Sequence, residues 1–123
     1  MYYLNITRKF DASHFLKLNY NSPCTNQHGH TWKVEIKIAG NNLNENGMLA
    51  DFTLIKQCVD KYDHKTINKI EPFNSINPTA ENLAKIIGAD VQDKMDIEMN
   101  KPVCFRVNVW ETEDNCASWE LEE

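Results

Sequence analysis

A chain of 123 residues, 41% hydrophobic and 25% charged, has the size and composition of one globular domain spanning residues 1–123 and leaves no room for a second core. Its 13 basic against 18 acidic residues, net charge −5, exclude broad nucleic-acid binding, where Lys and Arg must neutralise phosphates, though not a small anion held by a local basic group. No apolar run reaches the length of a membrane span, MYYLNITRKF lacks the layout of a secretory signal, and four scattered cysteines make no disulfide framework, so free thiols and a cytoplasmic location are expected.

From the N-terminus, Tyr2, Leu4 and Ile6 alternate with Tyr3, Asn5 and Thr7, the period of a strand running to Phe10 with one buried face. FDASHF, a loop at Asn21-Ser22-Pro23, and CTNQHGHTW follow. From Trp32 the residues Trp32, Val34, Ile36 and Ile38 alternate strictly with Lys33, Glu35 and Lys37, and the pattern stops at Gly40-Asn41-Asn42. The two histidines of HGH therefore stand at the entrance to a strand. After Asn46-Gly47 the period changes: Phe52, Ile55, Val59 and Tyr62 form the stripe of an amphipathic helix with Asp51 as its N-cap. A loop from Glu71 leads to Pro78-Thr79-Ala80-Glu81, where Thr79 caps a second helix with an apolar face through Leu83, Ile87 and Val91. Gly88 should weaken that helix by about 1 kcal/mol relative to Ala. Val103, Phe105, Val107 and Val109 then alternate with Cys104, Arg106 and Asn108 as a third strand facing inward, and Ser118 to Leu121 suggest a short fourth. Two strands, two helices and two strands predict an α+β fold: a four-stranded antiparallel sheet with both helices on one face.

Three of the four histidines, His14, His28 and His30, lie in the first quarter of the chain. Neutral imidazole is a preferred zinc ligand, and three histidines with an open fourth position are how catalytic zinc sites admit water or substrate. His28 and His30 are two apart, so on a strand both point to one face, with Gly29 keeping the other side clear. Cys24, four residues before His28, is either a reactive thiolate favoured by a nearby cation or a fourth ligand closing a structural site. Cys58 and Cys104 fall within the helix and strand patterns as small core residues, and Cys116 has no assigned role. Asp63-His64 closes the first helix, either as a carboxylate-oriented imidazole for proton transfer or as charge complementing the helix dipole. Glu111 points inward if it continues the direction of Val109, where a ring presenting two adjacent N–H donors would be an apt partner; otherwise it is a surface glutamate at a strand end.

Taken in order, FDASHF, CTNQHGH, ADFTLIK, YDHKTIN, NPTAENLA and VNVWET extend along nearly the whole chain and closely resemble the 6-pyruvoyl- and 6-carboxytetrahydropterin synthase family. The resemblance implies a tunnelling fold, in which subunits assemble into a barrel, a hexamer in this family, with active sites between them. It implies that His14, His28 and His30 hold Zn2+, that Cys24 is the catalytic base, that Asp63 and His64 are a relay pair, and that Glu111 anchors a pterin by its amino-pyrimidine edge. The spacing Cys24-x-x-x-His28-Gly29-His30 is similar to that of the carboxy-forming branch. A member of that branch converts 7,8-dihydroneopterin triphosphate and water to 6-carboxy-5,6,7,8-tetrahydropterin, acetaldehyde and triphosphate, on the route to 7-deazaguanine compounds such as queuosine. Two positions depart from the family pattern, Tyr62 where Leu is more usual and Trp119 where Tyr is frequent, and both bear on packing.

Overall fold

In a computed structural model of the chain, which describes residues 1–122, five strands and two helices form one layer of sheet under one layer of helix. The strands are β1 (Tyr2–His14), β2 (His28–Gly40), β3 (Lys65–Thr66), β4 (Val103–Thr112) and β5 (Asn115–Glu120); the helices are α1 (Phe52–Asp60) and α2 (Ala80–Met95). The sheet order is β3-β1-β2-β4-β5, antiparallel throughout except for the two-residue β3, which runs parallel to β1. The four expected strands are thus present, and β3 is an addition too short to leave any periodicity. No helix among the described residues is long and apolar enough to cross a membrane.

Strict alternation in β2 places Trp32, Val34, Ile36 and Ile38 on the helix-facing side, all fully buried. Each such side chain contributes roughly 1.5–3 kcal/mol by leaving water. On β1 the same face carries Ile6, Phe10, Ala12 and His14, while Tyr2, at the start of the strand, is exposed. Both strands are longer than their apolar periodicity, because β1 continues through Ala12 to His14 and β2 begins at His28, where imidazoles replace aliphatic side chains on the inner face.

In β4 the alternation fails for a definable reason. The pairing with β2 slips between Lys37 and Ile38, so Arg106 opposes Lys37 and Cys104 opposes Ile38, leaving Phe105 as an extra residue. A bulge of this kind reverses side-chain direction beyond it. Cys104, Val107 and Val109 consequently enter the core, whereas Val103 is exposed and Phe105 meets Tyr3 edge-on, ring centroids 6.2 Å apart. The last strand also starts three residues earlier than predicted, at Asn115, because Glu113 and Asp114 make a tight turn that pairs β5 directly with β4.

Asp51 caps α1 by accepting from the Thr53 N–H at 2.8 Å, and Thr79 caps α2 by accepting from Asn82 at 3.1 Å. In α1 the buried stripe is Ile55, Cys58 and Val59, with Phe52 exposed at the helix start and Tyr62 buried just beyond its end. Leu83, Ala84, Ile87, Gly88 and Val91 form the buried face of α2, which packs over β4 and β5. At Gly88 the indole of Trp119 approaches so closely that a Cβ would lie 2.7 Å from its ring. Glycine is required here for close approach of β5 to the helix.

Candidate metal centre

The antiparallel register sets His14 opposite His28 and Ala12 opposite His30. Residues directly opposite, or two apart, on paired strands share a face. Three imidazoles therefore converge on the helix side of the sheet beside Trp32, with ring centroids 4.6, 5.2 and 4.8 Å apart. One nitrogen from each, together with a carboxylate oxygen of Glu111, lie within 4.8 Å of one another. Gly29 on the opposite face is not sterically demanded, since a Cβ there would only touch the Ala12 carbonyl at 4.0 Å.

Carbonyl oxygens set the tautomers. His14 Nδ1–H donates to the Pro78 carbonyl at 2.8 Å and His28 Nδ1–H to the Asn26 carbonyl at 2.6 Å, because a carbonyl can only accept. A ring whose Nδ1 carries the proton in this way offers its Nε2 lone pair, as metal-ligating histidines do. Burial pushes the pKa of His14 and of His30 below the ordinary 6.5; the Pro78 contact of His14 and the proximity of Glu111 to both rings offset this only partly. Burial thereby favours the neutral, ligating form of both rings.

His14 Nε2 and His30 Nε2 are buried without a hydrogen-bond partner among the described residues. Glu111 Oε1 stands 3.2 Å from His30 Nε2, and its Oε2 stands 3.9 Å from His14 Nε2. Lone pairs gathered in this way repel one another unless a cation lies among them, so these residues fit a metal ion. Three imidazoles and a carboxylate are the donor set of a zinc-type site.

Cys24 occupies a short 3-10 turn, Pro23–Thr25, whose start is capped by the Ser22 hydroxyl accepting from the Cys24 N–H at 3.2 Å. The turn is tied to the end of β1 through Leu16 N–H to the Cys24 carbonyl, 2.8 Å. Its half-buried thiol is not among the four groups whose ligand atoms gather around the histidines. Cys58 and Cys104 are buried thiols, and burial raises the pKa of Cys104 to about 11. Cys116 is exposed on β5.

Asp63 and His64 do not close α1 as predicted; the helix ends at Asp60, and a turn carries the chain on to β3. His64 adopts a left-handed backbone, φ 58°, which for a residue with a Cβ costs roughly 1–2 kcal/mol. Asp11 holds it there. Its carbonyl accepts from the His64 N–H at 2.6 Å, and its N–H donates to Asp63 Oδ1 at 3.0 Å. Asp63 Oδ2 in turn lies 2.9 Å from His64 Nδ1. The N–H of Asp11 first, and His64 second, hold the Asp63 carboxyl below its usual range.

The Asp11 carboxylate accepts from Thr31 at 2.6 Å on the face opposite the three imidazoles and gathers with Asp63 and His64, and His64 borders a concavity with Ser13, Gly29, His30 and Thr31. One chain thus brings together His14, His28, His30 and Glu111, but leaves Asp63 and His64 across the sheet from them.

Several residues that shape the centre escaped the sequence reading. The Asn68 side chain both accepts from the Phe15 N–H and donates to the Phe15 carbonyl, each at 2.9 Å, and Asn77 clamps Lys17 in the same way at 2.8 and 2.9 Å. These clamps fix the chain as it leaves His14, while Pro78, next to Asn77, orients the His14 ring. The sequence carries their only signal in TIN and NPTAEN, because amide-to-backbone clamps have no periodicity.

The sequence pattern of the 6-pyruvoyl tetrahydropterin synthase family matches residues 3–122. The chain belongs to this family. Among its relatives, the 6-carboxy-5,6,7,8-tetrahydropterin synthase of Bacillus subtilis (strain 168) is 38% identical over 114 residues, covering 89% of this chain and 78% of that protein. The synthase of the same name from Rickettsia bellii (strain RML369-C) is 32% identical over 129 aligned residues, covering 88% and 91%. The solved structure of Caenorhabditis elegans 6-pyruvoyl tetrahydropterin synthase superposes with a TM-score of 0.77 at 23% identity, over 98% of this chain and 96% of that one. The Plasmodium falciparum family member superposes with a TM-score of 0.65 at 18% identity, over 98% and 99%. These structural likenesses extend to the fold, and the sheet with two helices described above is the tunnelling fold of the family.

Proposed function

We propose that this protein is a zinc-dependent 6-carboxy-5,6,7,8-tetrahydropterin synthase that converts 7,8-dihydroneopterin triphosphate and water to 6-carboxy-5,6,7,8-tetrahydropterin, acetaldehyde and triphosphate. The observation that carries the reading is 38% identity, over 89% of the chain, to a relative of that name. The convergence of three imidazoles supports the metal requirement. The three-residue gap between Cys24 and His28 favours the same branch. The product is destined for 7-deazaguanine compounds such as queuosine, and the working form is a cytoplasmic homo-oligomer, a hexamer by family resemblance.

His14, His28 and His30 would hold the zinc, which when bound supplies a Lewis acid for oxygens of the substrate side chain. Cys24, as thiolate, takes a proton from that side chain. His64, oriented by Asp63 Oδ2 at 2.9 Å, exchanges the next proton; the position of the pair beside Asp11, apart from the imidazole cluster, favours a relay supplied by a neighbouring subunit. Glu111 accepts the paired N–H groups of the pterin ring and so positions the side chain, a contribution of orientation rather than bond-making.

Pyruvoyl formation from the same substrate is the competing reading, favoured by the name of the structural relative from Caenorhabditis elegans. A non-catalytic zinc-stabilised module is a rival of another class. Zinc-loaded protein incubated with 7,8-dihydroneopterin triphosphate, with acetaldehyde trapped and products identified by mass, separates all three. Acetaldehyde with the carboxy product is expected; a pyruvoyl product without acetaldehyde would overturn the branch, and no turnover with zinc bound would overturn catalysis.

A further inference from the structure

Glu111 occupies an irregular step of β4. The pairing with β5 slips between Trp110 and Thr112, so Glu111 is the extra residue of a bulge, a device that re-aims side chains beside functional sites. Val109, two residues earlier, faces the core, and Glu111 stays on that side. Among the described residues the cationic or imidazole nitrogens near its carboxylate are those of His14 and His30. It faces this pair of unpartnered imidazole nitrogens, Oε1 being 3.2 Å from His30 Nε2 and Oε2 3.9 Å from His14 Nε2. Ligand atoms about 2.0–2.1 Å from a tetrahedral zinc are separated from one another by roughly 3.3 Å. The closer of the two contacts matches that edge length.

We propose that Glu111 is the fourth metal ligand of the resting protein, and that an arriving pterin ring exchanges it off the metal. The second half rests on the pterin-anchoring role proposed above. An amino-pyrimidine edge offers a carboxylate two parallel N–H donors that use the syn lone pairs of both oxygens, so a metal ion bound at one of those syn lone pairs competes directly with the ring. The exchange swaps the partner of a carboxylate lone pair, metal for ring N–H, and moves no proton. The open coordination position that catalytic zinc requires is then created by the ring, and only molecules bearing that edge expose the metal to their side-chain oxygens. Water and stray anions meet a closed site.

The test uses the full chain loaded with Co2+ in place of zinc, whose visible absorption reports the ligand set, beside zinc affinity measured by competition with a chromophoric chelator. Glu111→Gln keeps shape and removes the charge; it should weaken zinc at least about tenfold and alter the cobalt spectrum. Glu111→Asp, with a carboxylate on a shorter arm, should lie between the two and guards against a folding defect in the first variant. Unchanged affinity and spectrum in Glu111→Gln would overturn the ligand assignment.

6-Methyl-7,8-dihydropterin then tests the exchange, because it carries the ring edge but no side-chain oxygen able to ligate the metal. It should shift the wild-type cobalt spectrum and leave that of Glu111→Gln unmoved. Binding of this pterin, followed by its fluorescence, without a spectral shift would overturn the exchange. If no pterin binds, the functional reading falls and the exchange with it, while the metal affinities decide the ligand assignment independently.

Discussion

Gly88 offers a stability test in which the helix propensity and the tertiary contact pull in opposite directions. In the interior of α2, Gly88→Ala should gain about 1 kcal/mol of helix stability. The new Cβ, however, would stand 2.7 and 2.8 Å from two carbons of the Trp119 ring, far inside van der Waals contact, and the bulky indole is wedged between β5 and α2. Overpacking of this kind costs about 1–3 kcal/mol, so the variant should be destabilised by up to about 2 kcal/mol net. Trp119→Ala removes the obstacle. In that background Gly88→Ala should stabilise by about 1 kcal/mol, which makes the coupling energy between the two positions about 1–3 kcal/mol. Urea unfolding of the wild type, both single variants and the double variant, at one fixed protein concentration because assembly contributes to stability, measures this cycle. Stabilisation by Gly88→Ala in the wild-type background, or a coupling energy near zero, would refute the placement of Trp119 on this glycine.

Cys24→Ala should retain one zinc per chain by metal analysis while turnover falls about 10²–10⁴-fold, as expected for loss of a proton-transfer group; loss of zinc with the thiol would instead make Cys24 a ligand. The Tyr62 ring packs against Phe10 and Phe73, centroids 5.9 and 6.0 Å away, and its buried hydroxyl has no hydrogen-bond partner among the described residues. Removing an orphaned buried hydroxyl relieves a desolvation cost, so Tyr62→Phe should leave stability unchanged or raise it by about 1 kcal/mol, and a loss of that size in thermal unfolding would contradict the packing described. For Asp63, the folded pKa lies below the unfolded value of 3.8, so its contribution to stability is complete above that value and disappears as pH falls through the folded one. The stability difference between wild type and Asp63→Asn, followed as Tm against pH, should therefore be present at pH 5 and vanish in strong acid; a difference independent of pH would sink the argument.

Much of the fold was legible because its signals are local. Strict alternation identified β2, three- and four-residue spacing identified both helices, and Asp51 and Thr79 announced their starts through side chains that bond within the next turn. Grouping His14 with His28 and His30 needed only the period of a strand and the assumption that neighbouring strands pair. β4 was misread in its first half because a bulge is a property of two strands together: Phe105 is extra only relative to Lys37 and Ile38 on β2. Phe52, counted in the buried stripe of α1, is exposed at the start of the helix.

The chain's residue pattern alone thus determined an α+β domain, a cluster of zinc-type ligands at the entrance to a strand, and the family motifs that name a chemistry, since each depends on residues close in sequence or on period alone. Tertiary structure decided what depends on distant partners. It turned the bare Nε2 of His14 inward through the carbonyl of Pro78, docked the Asp63-His64 turn on the backbone of Asp11, and set that pair across the sheet from the imidazoles. It also aimed Glu111 into the histidine cluster from a bulge that exists only where β4 meets β5. Hydrogen bonds between residues some fifty or more positions apart leave no periodic trace in one sequence, a bulge leaves none even within a hairpin, and the direction of a side chain is settled only when both partners are in place.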